Sequence, residues 1–183
     1  MVPMALIVAA WLLASRSWRG AGWWLALFGL ATLLVVSTKI AYIGWGIGVR
    51  SLDFTGISGH GMTAAATLTV AGFLAGDRYS KIWAAAGVGL GALVGLLIAA
   101  SRVILGFHSP AEVIAGCSLG FAIAMTTISI IRANPRVAAV PSVFVLLLLM
   151  LVVAVQHGRR APTEHLITKI ALYLSGRSAP FYN

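Results

Sequence analysis

Residues that can bind and transfer a phosphoryl group occur in two short stretches of an otherwise apolar sequence. They are Lys39, Arg50, Ser58, Gly59 and His60 in the first stretch, and Arg102, His108 and Glu112 in the second. Lysine and arginine provide positive charge and N–H donors for phosphate oxygens. Of two histidines, one can attack phosphorus while the other protonates the leaving oxygen. The two stretches together therefore predict phosphoryl-transfer chemistry.

The spacing of these residues suggests how the roles are divided. His108 and Glu112 are four residues apart where a helix is predicted to start, so the carboxylate can reach the imidazole and hold its tautomer. Ser58 and Gly59 precede another predicted helix, whose first backbone N–H groups attract an anion. Gly59 also lets an anion approach the backbone closely. His60 has no acid nearby except Asp53.

Several of these residues also have a purely structural interpretation. Glu112 completes a capping box with Ser109, and Pro110 suits the first position of the same helix. Ser58 can act simply as a helix cap. Arg50 and Asp53 are three residues apart and can pair with each other instead of contacting a ligand. His157 and His165 lie in the tail and are interpreted as solvated or interfacial.

The elements that must position these residues are membrane helices. Of the 183 residues, 60% are hydrophobic and 9% are charged, against roughly 25% charged in an average globular protein. Six apolar segments occur, roughly at 2–14, 21–38, 60–75, 82–100, 111–131 and 137–156. A span needs about 20 apolar residues, so the first segment is short. The alternation of a barrel strand is missing, which predicts an all-α integral membrane bundle of about six transmembrane helices.

Two further features concern packing and the tail. Gly87, Gly91 and Gly95 lie on one helix face and predict close contact with a neighbouring helix. From Thr163 to Ser175 apolar residues recur at helical spacing, which predicts an amphipathic helix on the membrane surface that ends before Gly176. We therefore divide the chain into a six-helix transmembrane domain, 1–156, which carries the candidate phosphoryl-transfer residues, and an amphipathic interfacial tail, 157–183. Cys117, the single cysteine, is interpreted as a small core residue.

The net charge of +9 helps to predict topology. Six basic residues lie in alternate connections: Arg16, Arg19, Arg78, Lys81, Arg132 and Arg136. By the positive-inside rule these connections face the cytoplasm and the two histidine stretches face outward. The basic residues do not form a run with interleaved aromatics, so no nucleic-acid partner is predicted. The expected location is the inner membrane of a bacterium, with the site facing the periplasm or exterior.

The motifs resemble those of a known family. Ile57-Ser58-Gly59-His60, followed by Ser101-Arg102, five residues and His108, resembles the signature of the type 2 phosphatidic acid phosphatase superfamily. The resemblance implies that His108 forms a phosphohistidine and that His60 is the acid for the leaving group and then the base for water. It also implies that Lys39, Arg102, Ser58 and Gly59 hold the phosphate, without a metal or other cofactor.

The sequence departs from the family pattern at three positions. Gly46 stands where an arginine is usual, and Arg50 is the candidate substitute. Ile57 replaces the proline before Ser-Gly-His, and Glu112 replaces an aspartate. Glutamate is one methylene longer but can still accept the imidazole proton.

The predicted function is that of a metal-independent membrane lipid phosphatase acting on a phosphate or diphosphate monoester. Undecaprenyl diphosphate is the first choice of substrate, because the short outward connections favour a lipid that enters from the bilayer. The alternatives are phosphatidylglycerol phosphate, phosphatidic acid and a lipid A phosphate. A lipid phosphotransferase would use the same residues. A non-catalytic lipid-phosphate binding or transport protein is the rival from another class, and a helical membrane scaffold ranks below it. The sequence does not specify an oligomeric state.

Overall fold

The computed structural model describes residues 2–134 and 163–181, and this part of the chain is helical. Its helices are α1 (Val2–Ala14), α2 (Trp18–Trp45), α3 (Gly59–Asp77), α4 (Lys81–Ile104), α5 (Pro110–Ala133) and α6 (Thr163–Ser175). A short 3-10 turn, Arg50–Leu52, interrupts the connection between α2 and α3. No β-strand occurs among the described residues, so the predicted all-α class is confirmed.

Three of these helices are long and apolar enough to cross a membrane, namely α2, α4 and α5. α1 has 13 residues, which at about 1.5 Å per residue is shorter than the roughly 30 Å hydrocarbon core. α3 has 19 residues and is buried along most of its length. The predicted sixth segment, 137–156, lies outside the described residues. The fold is therefore that of a helical membrane protein.

α2 is longer than the sequence suggested. The apolar segment was expected to end near Thr38, with Lys39 starting a loop, but the helix continues to Trp45. It ends at Gly46, which has a φ of 71° and donates its backbone N–H to the carbonyl of Tyr42. A left-handed residue after a helix is usually glycine, because glycine has no Cβ to clash. Lys39 is consequently held on a helix and not on a loop.

Glycines bring α3 into backbone contact with α4, as the four-residue repeat predicted. A Cβ atom at Gly91 would lie 2.1 Å from the carbonyl oxygen of Leu68, and one at Gly87 would lie 2.1 Å from that of Gly72. α5 approaches the other side of α3 in the same way, since a Cβ at Gly116 would lie 2.4 Å from the carbonyl oxygen of Ser58. α3 therefore packs closely against α4 on one side and α5 on the other.

This antiparallel packing sorts the connections to opposite ends. The start of α3, the end of α4 and the start of α5 meet at one end, where the histidine stretches lie. Basic residues lie at the other end, where Arg19 donates a hydrogen bond to the side chain of Asn134 over 3.1 Å. Arg132 stacks there on the ring of Phe73, 5.2 Å from its centroid. The histidine stretches therefore lie at one end of the helices, the histidine-bearing end, and Arg19, Arg132 and Asn134 lie at the opposite end.

α6 has the bounds that the sequence predicted and packs against the end of α2. Ala171 is fully buried in this contact, and a Cβ at Gly44 would lie 3.2 Å from its carbonyl oxygen. The backbone N–H of Phe181 donates to the carbonyl of Ile43 over 2.9 Å, and its ring meets that of Tyr42 edge-on at 6.0 Å. The segment after α6 is thus tied to α2 as well.

We expect Gly91→Ala to destabilise the protein, because its methyl group would have to displace the backbone of α3. Overpacking of this kind costs about 1–3 kcal/mol. Gly89→Ala on the same helix is the matched control, since a Cβ there meets nothing within 4 Å. Thermal unfolding in detergent should show a lower midpoint for Gly91→Ala and an unchanged or higher one for Gly89→Ala. Equal midpoints would contradict the close contact.

Candidate active site

The start of α3 presents backbone N–H groups to the histidine-bearing end. Ser58 is fully buried and caps the helix, its hydroxyl accepting from the N–H of Gly61 over 3.3 Å. Its own N–H donates to the backbone carbonyl of Glu112 over 3.1 Å. The first N–H groups of a helix have no partner within the helix. Those of Gly59 and His60 at this terminus are therefore suited to an anion.

The start of α5 holds the second histidine. Nδ1 of His108 lies 2.6 Å from Oε2 of Glu112. The same Oε2 accepts from the N–H of Ser109 over 3.3 Å, and the hydroxyl of Ser109 accepts from the N–H of Glu112, which completes the capping box. One carboxylate therefore caps the helix and contacts the imidazole, so the structural and functional interpretations of Glu112 are compatible. With Nδ1 engaged, Nε2 is the nitrogen of His108 left for a ligand.

Thr55 is a site residue that the sequence did not reveal. Its backbone N–H donates to Oε1 of Glu112 over 2.7 Å, and its hydroxyl donates to the same oxygen. Both carboxylate oxygens are consequently occupied, one by the loop before α3 and one by the start of α5. Thr55 and Glu112 are 57 residues apart, and no local pattern links them.

Arg102 is placed by the turn between α4 and α5. It lies in the last turn of α4 and is buried. Its guanidinium stacks on the ring of Phe107, 4.2 Å from the centroid, and the N–H of Phe107 donates to its carbonyl over 3.0 Å. Gly106, with a φ of 69°, makes this reversal possible. Phe107 is thus a second residue, beside Thr55, whose contribution the sequence did not suggest.

A cavity of about 250 Å³ lies beside His108 and Lys39. Its remaining lining comes from α2, from the two connections and from the tail: Tyr42, Ile43, Thr55, Phe107, Ile167, Thr168 and Pro180. His60 is half-buried and lies within electrostatic range of Arg102, His108 and Lys39. The two histidines, Lys39 and Arg102 therefore lie near one another at this end, although His60 and Arg102 do not line the cavity.

Arg50 does not line this cavity but a neighbouring crevice, and Tyr42 and Thr55 line both. Arg50 is exposed on the 3-10 turn and lines the smaller crevice with Asp53 and Phe54. Gly46 lines the same crevice, and a Cβ there would lie 2.8 Å from the ring of Phe181. The left-handed backbone and this ring explain why an arginine is not accommodated at position 46. The role of Arg50 toward phosphate remains a prediction.

The geometry thus describes a helical membrane protein in which histidine, lysine and arginine side chains lie close together at one end. The sequence profile of the PAP2 superfamily matches residues 35–136, which include the site residues from Lys39 to Glu112. The chain belongs to this superfamily, which includes lipid phosphatases. The predicted family is therefore confirmed.

A relative from Klebsiella pneumoniae is 32% identical over 185 residues, covering 99% of this chain and 88% of its own length. It is described as an uncharacterized 22.5 kDa protein in the cps region. No solved structure matches the chain. Within residues 2–134 and 163–181, no group of three or more His, Cys, Asp or Glu side chains comes together as a metal site would require.

We expect Thr55→Val to lower kcat roughly tenfold while KM changes less, because Glu112 would lose one hydrogen bond to a charged group. Thr55→Ser should restore the rate, since it keeps the hydroxyl. Thr32→Val is the matched control, because the Thr32 hydroxyl bonds only to the carbonyl of Phe28 within α2. Steady-state phosphate release would measure all three. A Thr55→Val enzyme with wild-type kcat would show that this hydroxyl does not position Glu112.

Proposed function

We propose that this protein is a membrane lipid phosphatase that works through a phosphohistidine on His108. The observation that carries the proposal is the 2.6 Å contact between Nδ1 of His108 and the buried carboxylate of Glu112. It directs Nε2 of the ring toward a ligand and offsets the positive charge that the imidazole gains when it attacks phosphorus.

In the first step Nε2 of His108 attacks phosphorus and the bond from phosphorus to the leaving oxygen breaks. His60, which the negative charge of the bound phosphate favours in its protonated form, donates a proton to that oxygen. In the second step His60, now neutral, removes a proton from water, which attacks the phosphohistidine and releases phosphate and the imidazole of His108. Lys39, Arg102 and the first N–H groups of α3 stabilise the negative charge on the phosphoryl oxygens.

The substrate class follows from the surroundings of the site. The described part of the chain is dominated by apolar helices, and the cavity beside His108 is lined by apolar as well as polar side chains. A lipid bearing a phosphate or diphosphate suits both the apolar helices and the mixed polar and apolar lining of the cavity. We propose undecaprenyl diphosphate as the first choice, with the site on the periplasmic or outer side of a bacterial inner membrane. The basic residues in or beside the short helix connections at the opposite end support this orientation, namely Arg16, Arg19, Arg78, Lys81 and Arg132.

Phosphate release by purified protein in detergent tests the proposal. Undecaprenyl diphosphate, phosphatidylglycerol phosphate and phosphatidic acid would be supplied separately, with a metal chelator present. We expect release from at least one lipid to survive chelation and to fall at least about a thousandfold in His108→Ala, because the nucleophile is gone. His165→Ala is the matched control, since this histidine is exposed on α6.

The outcomes separate the proposal from its rivals. Release that chelation abolishes would contradict metal independence. Transfer of the phosphoryl group to a second lipid, without free phosphate, would indicate a phosphotransferase. Lipid binding that is unchanged in His108→Ala, without turnover of any lipid, would favour a binding or transport protein.

His60→Ala should leave the enzyme phosphorylated. A water-soluble aryl phosphate has a leaving group that needs little protonation, so His108 can still be phosphorylated when His60 is missing. Activation of water then fails, and the phosphohistidine accumulates. One burst of the phenol per protein molecule, with an acid-labile phosphate on His108 detected by mass spectrometry, is the expected result. A steady rate without a burst would assign the base role to another group.

A further inference from the structure

We propose that α6 and the segment after it form one wall of a cleft that binds the hydrocarbon chain of the substrate, with α2 as the opposite wall. This inference rests on the proposed function and names a further binding subsite for the same reaction. The sequence suggested a surface helix at this position, but not a helix that takes part in the active-site cavity.

The lining of the cavity is the first observation. Lys39 and His108 lie in the same cavity as Ile167, Thr168 and Pro180 of the tail. Lys39 and His108 are the groups that would meet a phosphate, whereas Ile43, Ile167 and Pro180 provide apolar surface. A volume of about 250 Å³ is several times the roughly 30 Å³ that one water molecule occupies. It leaves room beyond the phosphate for the first carbons of a chain.

The second observation is the way α6 is fixed. Its inner face, around Ala171, packs on Gly44, and Phe181 is hydrogen-bonded to Ile43. Its outer face carries exposed apolar side chains, namely Leu166, Ile170, Tyr173 and Leu174. These positions recur at helical spacing, so they form one apolar stripe. Such a stripe is stable where hydrocarbon covers it, which places the cleft at the level of the lipid chains.

The cleft therefore has charged groups, Lys39 and His108, at one end and apolar side chains, Ile43 and Ile167, beside them. A lipid can occupy this cavity with its phosphate directed to His108 and Lys39. Its chain then contacts Ile167 on one side and Ile43 on the other. Thus α6 would determine which chains are accepted, while residues on α3, α4 and α5 perform the chemistry.

Binding of alkyl phosphonates to the purified full-length protein tests this cleft, because the carbon–phosphorus bond is not hydrolysed. Calorimetry would compare phosphonates with chains of one to eight carbons. For the wild type we expect affinity to rise up to about fourfold per methylene until the cleft is filled. Ile167→Trp should bind octyl phosphonate at least tenfold more weakly and methyl phosphonate within threefold of the wild type, since the indole fills the apolar part.

Ile170→Trp is the matched control, because Ile170 is the same residue type on the exposed face of α6. It should retain the chain-length dependence of the wild type. Ile167→Ser provides a second variant that removes apolar contact without adding bulk, and it should also weaken octyl phosphonate selectively. Unchanged thermal midpoints would show that the variants are folded.

The possible results distinguish this inference from the proposed function. A chain-length dependence that persists in both Ile167 variants would overturn the cleft. Lipid hydrolysis combined with such a persistent dependence would overturn the cleft alone and leave the phosphatase intact. A third result is that Ile167→Trp abolishes the chain-length dependence while the wild type releases no phosphate from any lipid. This result would support the cleft and count against the phosphatase. Failure of the wild type to bind even methyl phosphonate would count against both.

Discussion

The buried carboxylate of Glu112 is the group on which the geometry of the site depends. A carboxylate removed from water costs several kcal/mol unless it is paired and hydrogen-bonded. Here Oε2 of Glu112 contacts His108 and the N–H of Ser109, and Oε1 accepts from the N–H and the hydroxyl of Thr55. The backbone carbonyl of Glu112 accepts from the N–H of Ser58. The need to satisfy this charge therefore ties the loop before α3 to the start of α5, and the backbone carbonyl of Glu112 adds the cap of α3 to the same arrangement.

Close packing of the helices allows the contacts of Glu112 to form. Gly91 and Gly116 let the backbones of α4 and α5 approach α3 from two sides. The ends of these helices then meet at one level, and the residues at the ends converge without long loops. A site built on helix termini is held more rigidly than one built on loops, because each terminus is fixed by its own packing. These glycines therefore help to fix the positions of the side chains in the candidate site.

The features that sequence predicted are those determined by local spacing. The His108–Glu112 pair, the capping box at Ser109, the glycine repeat of α4 and the bounds of α6 all follow from residues within about one or two helical turns of each other. Such contacts are encoded by helical periodicity alone. The family also followed from local motifs, and the profile match confirms it.

The features that sequence did not predict arise from contacts across the chain. Thr55 meets Glu112 across 57 residues, and Ile167 shares a cavity with Lys39 although the two belong to opposite ends of the sequence. α2 extends to Trp45 and ends at the left-handed Gly46, and the ring of Phe181, from the other end of the sequence, lies against this glycine. Arg50 was proposed from its charge, and its place on a 3-10 turn beside Asp53 could not be predicted from local spacing; its role toward phosphate stays a prediction.

The position of α6 in the chain has a consequence for biosynthesis. Lys39, His60 and His108 are made well before Ile167, since the ribosome synthesises the chain from its amino terminus. The histidine pair and its helices can therefore assemble while the cavity is still open on the side that α6 later occupies. The last-made helix of the described chain then closes that side by docking on α2. The cavity is therefore completed only after residues 163–181 have been made, and a ribosome that stops before residue 163 leaves the histidine pair without this wall.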